Sequence, residues 1–240
     1  MADFLEQLHQ GKRRFRGVEI DEIDCSGIEA YELDLRDCTF RNVSFHGAVL
    51  EGLQTQSCAF VRCNFSHAKL MESQFKETSF YRLSAECTFY EADCRLTKFE
   101  ECDIRLAIFE RARLFRSAFQ KCNATGASFY RADFNRVTKI IDCNFRMVDL
   151  RDAQLAKCDL HKTTFEQADL REANLSKCNL TECNFAGAMT AHLNIKEADL
   201  RGANIAEFDI RKLDFTGVKM YEEQGKVLLE NAGITLVERT

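Results

Sequence analysis

The sequence predicts an elongated coil of short repeats, and three observations point there. Ala168-Asp169-Leu170-Arg171-Glu172, Ala173-Asn174-Leu175-Ser176-Lys177 and Cys178-Asn179-Leu180-Thr181-Glu182 share a five-residue unit that reads small, polar, large apolar, polar, polar. A period of five fits neither the helix at 3.6 nor the strand at two, so the apolar positions share a buried side only if the chain coils on itself with a fixed number of units per turn. The large apolar slot recurs from Phe15 to Met220, and cysteines and glycines keep to fixed slots of the same unit.

The large slot is filled by Phe15, Ile20, Cys25, Ala30, Leu35, Phe40, Phe45, Leu50, Thr55, Phe60, Phe65, Leu70, Phe75, Phe80 and Ala85. The spacing then contracts by one residue to Phe89 and keeps step through Cys94, Phe99, Ile104, Phe109, Leu114, Phe119, Ala124, Phe129 and Phe134. It stretches by one to Ile140 and runs on through Phe145, Leu150, Leu155, Leu160, Phe165, Leu170, Leu175, Leu180, Phe185, Thr190, Ile195, Leu200, Ile205, Ile210, Phe215 and Met220, so that deletion and insertion cancel. Two residues earlier in each unit is a second inward slot for small residues. It holds ten of the twelve cysteines (Cys38, Cys58, Cys63, Cys87, Cys102, Cys122, Cys143, Cys158, Cys178, Cys183), with Cys25 and Cys94 in the large slot. A buried free cysteine acts as a small hydrophobe, which suits a narrow interior. Eight of eleven glycines fall two residues after the large slot, as a tight turn with positive φ would select.

Composition excludes several classes. With 240 residues, 45% hydrophobic and 30% charged, the chain has the make-up of a soluble protein, and Met1-Ala2-Asp3-Phe4 opens no leader-like apolar run. A cytoplasmic location with reduced thiols is expected, without membrane association. The cysteines and the five histidines lack zinc-ligand spacing, so no metal is expected. No Gly-rich phosphate loop, paired carboxylates or Ser/His/Asp set appears, and a filled coil leaves no substrate cavity. No catalytic residue and no cofactor are expected, and the chain reads as a binding protein rather than an enzyme.

The pattern resembles that of the pentapeptide repeat family, A(D/N)LXX, matched at Ala168-Asp169-Leu170, Ala173-Asn174-Leu175, Ala198-Asp199-Leu200 and Ala203-Asn204-Ile205. The resemblance implies an all-β fold, a right-handed quadrilateral parallel β-helix with four repeats per coil and about the girth of duplex DNA. About ten coils at the ~4.8 Å strand spacing would span on the order of 50 Å. Residues twenty apart would then stack. Asp149, Asp169 and Asp209 would share a face, each followed by Arg151, Arg171 or Arg211. Either these make a lattice of exposed ion pairs, each contributing little, or they belong to an acidic surface that imitates phosphates; the net charge is −5. Leu106, Phe115 and Tyr130, with Leu96, Ile108 and Tyr90, would point outward midway along the rod as a partner patch.

The division expected is an N-terminal cap at 1–14, the β-helix at 15–220, and a C-terminal helix and strand at 221–240. Phe4, Leu5 and Leu8 have helical spacing within Asp3 to His9. The basic run Lys12-Arg13-Arg14 with Arg16 is short and followed by acids, which favours a solvated entry loop over direct nucleic-acid contact. Gln224 to Asn231 suits a short helix, closed by Gly233, with Ile234, Leu236 and Val237 in a final extended segment. A coil end must be covered, and the same segment could also join two rods about a two-fold axis through Val227, Leu228, Leu229, Ile234, Leu236 and Val237. The tail resembles that of Qnr- and MfpA-type proteins at Gly217, Val218, Lys219, Gln224, Leu228, Leu229, Gly233 and Ile234, without the long loops many Qnr proteins project. That resemblance implies a homodimeric rod that binds a type II topoisomerase, chiefly DNA gyrase, and protects it from quinolones or toxins. The alternative is a scaffold for another cytoplasmic protein.

Overall fold

A computed structural model describes residues 2–80, 87–134 and 138–237. Helix α1 (Ala2–His9) precedes ten three-residue strands: β1 (Arg14–Arg16), β2 (Glu19–Asp21), β3 (Asp34–Arg36), β4 (Thr39–Arg41), β5 (Gln54–Gln56), β6 (Ala59–Val61), β7 (Gln74–Lys76), β8 (Lys98–Glu100), β9 (Ala118–Gln120) and β10 (Lys139–Ile141). Helix α2 (Glu222–Asn231) follows. One parallel sheet runs β1-β3-β5-β7-β8-β9-β10 and a second runs β2-β4-β6. Parallel single-residue bridges extend both sheets and build two more ladders, from Asp24↔Ser44 and from Glu29↔Val49. Four ladders give the rod four faces, numbered here in chain order from Phe15, Ile20, Cys25 and Ala30.

Each large slot points inward. The interior is a set of ring columns, with Phe65, Phe89, Phe109 and Phe129 stacked at centroid separations of 5.0, 4.5 and 4.9 Å on the third face. Polar residues that fall inward are mostly tied down: Thr55 and Thr78 share a 2.8 Å hydroxyl bond, and Thr78 donates to the carbonyl of Lys76, whereas the Ser117 hydroxyl is buried without a partner. At each described corner up to Gly202 the residue two past the large slot has positive φ, in Gly27 (67°) and equally in Glu22, Asp37 and Arg111 (54–56°). Its N–H donates to the next coil, as from Glu22 to the Arg41 carbonyl at 3.0 Å, which offsets the cost of the left-handed conformation in non-glycine residues. Glycine is therefore favoured there but not required.

The register departs from expectation in two places. Ala85 lies outside the described residues, and Phe89 stacks on Phe65 of the third face, so the step from Phe80 on the second face takes nine residues where the repeat takes five. The contraction by one is thus an extension by four; with the added residue between Phe134 and Ile140, the irregularities sum rather than cancel. The last coil also loosens. Met189 has no bridge partner at Asp209 among the described residues, because residues 209–213 turn on themselves through the N–H groups of Lys212 and Leu213 to the Asp209 carbonyl. Phe208 and Leu213 fill the core there, and Thr190, Ile210, Phe215 and Met220 are only half-buried.

Both ends are covered. Phe4 and Leu8 of α1 are buried, with the Phe4 ring 4.7 Å from Phe15 and 5.6 Å from Phe40. Among the described residues no helix is long and apolar enough to cross a membrane.

Candidate binding surfaces

The outward residue before each large slot sets the surface chemistry. When it is Asp or Asn, its Oδ1 accepts the N–H two residues on, as Asn64 does from Ser66 at 2.9 Å, closing the corner locally. When Arg is the residue two on from an Asp, the contact becomes a three-bond clamp, except at Asp34–Arg36, where only the two guanidinium bonds form. Asp149 accepts from the Arg151 backbone N–H at 3.1 Å, its Nε at 2.9 Å and its Nη2 at 2.7 Å. The same clamp forms at Asp169–Arg171, Asp199–Arg201 and Asp209–Arg211, and Arg151 also lies 3.6 Å from Asp169. The guanidinium of Arg171 holds the Asp169 carboxyl below its ordinary range, and Arg201 does the same for Asp199.

Asp149, Asp169 and Tyr130 come together along the third face and its following corner, where the Tyr130 ring lies 5.0 Å from the Arg131 guanidinium and 5.2 Å from that of Arg151. Of the two readings left open by the sequence, the ion-pair lattice is the one built here. Asp209 keeps its clamp but leaves the ladder with the 209–213 turn, so the three carboxylates do not form one column. Leu106 and Phe115 also part. Leu106 sits at the corner after the second face, packed over Gly126, where a Cβ would come within 2.8 Å of it. Phe115 lies at the diagonally opposite corner, after the fourth face, with the Arg116 guanidinium 5.6 Å from its ring.

At the C-terminus α2 closes the last coil. The Gln224 side chain donates to the carbonyls of Leu200 and Ala203 at 2.8 and 2.7 Å and accepts the N–H groups of Tyr221 and Gly202 at 2.8 and 3.1 Å. Leu228 is buried beneath the helix and Leu229 is half-buried. Val227, Ile234, Leu236 and Val237 are exposed, Val237 at 90%, and 234–237 form no strand because nothing within the described chain pairs with them.

The column structure also groups residues that the sequence reading left apart. Tyr31, Glu32, Glu51, Gly52, Met71 and Glu72 line a notch of 230 Å³ at the corner after the fourth face. The spacing of twenty between Tyr31, Glu51 and Met71 was the available signal.

The twelve thiols are free and buried; burial pushes Cys25, Cys158 and Cys183 up to about 12. Among the described residues no group of three or more His, Cys, Asp or Glu side chains could hold a metal ion.

A filled four-sided solenoid with all its chemistry on corners and ends defines a repeat protein whose exposed features are surfaces. The pentapeptide repeat model matches residues 107–146, 138–171 and 149–187, and the same register continues on either side. Residues 107–187 are thus pentapeptide repeats of that family. Among solved structures it is similar to a trypsin-treated variant of QnrB1, a plasmid-mediated fluoroquinolone resistance protein, at 24% identity and a TM-score of 0.75, covering 93% of this chain and 100% of that one. Full-length QnrB1 is similar at 21% identity and a TM-score of 0.63, covering 92% and 100%. No curated protein matches the chain in sequence.

Proposed function

We propose that this pentapeptide repeat protein is a non-enzymatic binding protein of the Qnr type, which occupies the DNA-binding saddle of a type II topoisomerase, DNA gyrase first, and relieves complexes trapped by quinolones. The supporting observation is the end-to-end correspondence with QnrB1, in which all of that chain falls on this rod. The tail resemblance adds to it. Gln224 and Leu228, both part of the matched pattern, are the residues that close the coil, while Val227, Ile234, Leu236 and Val237 are left exposed to pair with a second tail in a cytoplasmic homodimer.

The clamps bear on how such binding works. Asp149, Asp169 and Asp209 are neutralised by their own arginines, so mimicry of duplex DNA rests on girth and on the carboxylates outside the clamps. That lattice favours a second reading, a scaffold for another protein. The two separate in one assay. Purified protein added to gyrase, relaxed plasmid, ATP and a quinolone is expected to restore supercoiling in proportion to dose. No rescue and no gyrase binding at micromolar protein overturns the topoisomerase reading and leaves the scaffold.

A further inference from the structure

Two columns of residues run along the corner after the fourth face. Backbone bonds from Glu32 to Glu51, Gly52 to Met71, Glu72 to Arg95 and Leu96 to Phe115, all 2.9–3.0 Å, set their order. One column reads Tyr31, Glu51, Met71, Arg95, Phe115; the other reads Glu32, Gly52, Glu72, Leu96, Arg116. Apolar residues recur along the corner, with Tyr31 exposed at 49% and Leu96 at 38%, and its charge changes sign halfway. Glu32, Glu51 and Glu72 form no ion pair or side-chain hydrogen bond among the described residues. Beyond them Arg95 and Arg113 share the single carboxylate of Asp93, at 2.6 and 3.4 Å, and Arg116 and Lys98 have no carboxylate partner among the described residues. The acidic half holds a notch over Gly52, the basic half the half-buried Phe115 ring beneath the Arg116 guanidinium.

We propose that this corner is a lateral interface for a second, antiparallel copy of the chain. A self-complementary contact needs each feature and its counterpart on the same surface at equal distances from a two-fold axis. An axis perpendicular to the rod, between the coils of Met71 and Arg95, meets that condition. It sets Met71 and Glu72 against Arg95 and Leu96 of the second copy, with Glu72 diagonal to Arg95, and Glu51 and Gly52 against Phe115 and Arg116, with Glu51 diagonal to Arg116, each contact occurring twice. Notch and ring are three coils apart, about 14 Å at the ~4.8 Å strand spacing, so both insertions occur together. Parallel alignment would instead set glutamate on glutamate, and the charges therefore select the antiparallel pair. The surface is separate from the C-terminal cap.

The test is a charge swap read by sedimentation velocity and small-angle scattering at low salt, where surface charges are least screened. The wild type is expected to form a side-by-side species that dissociates as salt is raised. The double variant Glu51→Arg with Glu72→Arg carries an all-basic corner, and Arg95→Glu with Arg116→Glu an all-acidic one; each alone is expected to lose the lateral species. Their equimolar mixture is expected to regain it, which also shows that both variants are folded. Phe115→Ala is expected to weaken it at least tenfold. End-to-end pairing through the tail is untouched by these changes and gives a longer particle. Lateral association retained by either double variant, a mixture that stays apart, or a wild type without a salt-dependent lateral species overturns the proposal, the last assigning the corner to another occupant.

Discussion

Replacing Phe109 with alanine tests how far the ring column holds the rod together. The side chain is fully buried (0% exposed), stacked on Phe89 at 4.5 Å and Phe129 at 4.9 Å with interplanar angles of 2° and 7°. It also meets Phe99 and Phe119 edge-on at 5.7 and 6.1 Å. Truncating a buried Phe costs about 3–5 kcal/mol, the spread reflecting how well the site collapses. Collapse is hindered here because the coils are fixed by backbone ladders above and below, and each aromatic pair lost adds about 0.5–1.5 kcal/mol. The expected loss is therefore at the upper end, about 5 kcal/mol, whereas Phe109→Leu keeps most of the volume and should cost about 1.5–2 kcal/mol. Urea denaturation followed by circular dichroism reads both values. In a solenoid each coil is supported only by its neighbours, so the alanine variant is also expected to split unfolding into two steps about the weakened coil. A loss under about 2 kcal/mol, or a leucine variant as damaged as the alanine one, would refute the claim that stacked rings carry the mid-rod stability.

Two further outcomes follow from the same geometry. Asp169 has its carboxyl pKa depressed by Arg171, so it contributes stability that is fully present above the unfolded value near 4 and lost as pH falls through the lower folded value. Asp169→Asn should accordingly lose less stability than wild type between pH 7 and pH 3, and equal losses would remove the clamp from the account. The buried thiols, with Cys25, Cys158 and Cys183 raised to about 12, should not react with a thiol reagent at pH 8 in the native state, while all twelve react in denaturant; rapid native labelling of any one would contradict its burial.

Most of the fold was legible because the period is a direct record of the coil. Every large slot assigned from Phe15 to Phe80 and from Phe89 to Phe134 is buried in the structure, Ala85 aside, including the unlikely occupants Cys25, Ala30, Thr55 and Ala124. The helical ends were legible for a similar reason: Phe4, Leu8 and Leu228 are apolar residues that the repeat itself does not use, and all three are buried. What local spacing could not supply was the face on which the chain resumes after an irregularity. Ala85 fits the pentapeptide spacing, yet only the stacking of Phe89 on Phe65 reveals that nine residues lead to the third face. That assignment decides which surface residues become neighbours across the irregularity, as with Met71 and Arg95 in successive coils at the corner after the fourth face.

The same correction gives the cysteines an order that the unit alone does not show. With the extension counted, the small slots of the second face read Cys38, Cys58, Thr78, Cys102, Cys122, Cys143, Thr163 and Cys183, while those of the fourth face read Ala48, Ala68, Ala92, Ala112, Ala132, Ala153 and Ala173. The difference lies in hydrogen bonding. Cys58, Cys102 and Cys122 each donate from Sγ to the carbonyl of a large-slot residue one coil back, Leu35, Phe75 and Phe99, at 3.2–3.3 Å. On the first face Ser73, Thr97 and Thr138 donate from hydroxyls to Leu50, Leu70 and Leu114 in the same way. Alanine makes no such bond. The weak thiol donor thus occupies the slot that serine and threonine fill elsewhere, combining an apolar surface for the adjoining phenylalanine columns with a donor for the coil behind it. Six of the twelve cysteines are in this protein a packing solution of the second face, and among the described residues no group of thiols forms a metal-sized cluster.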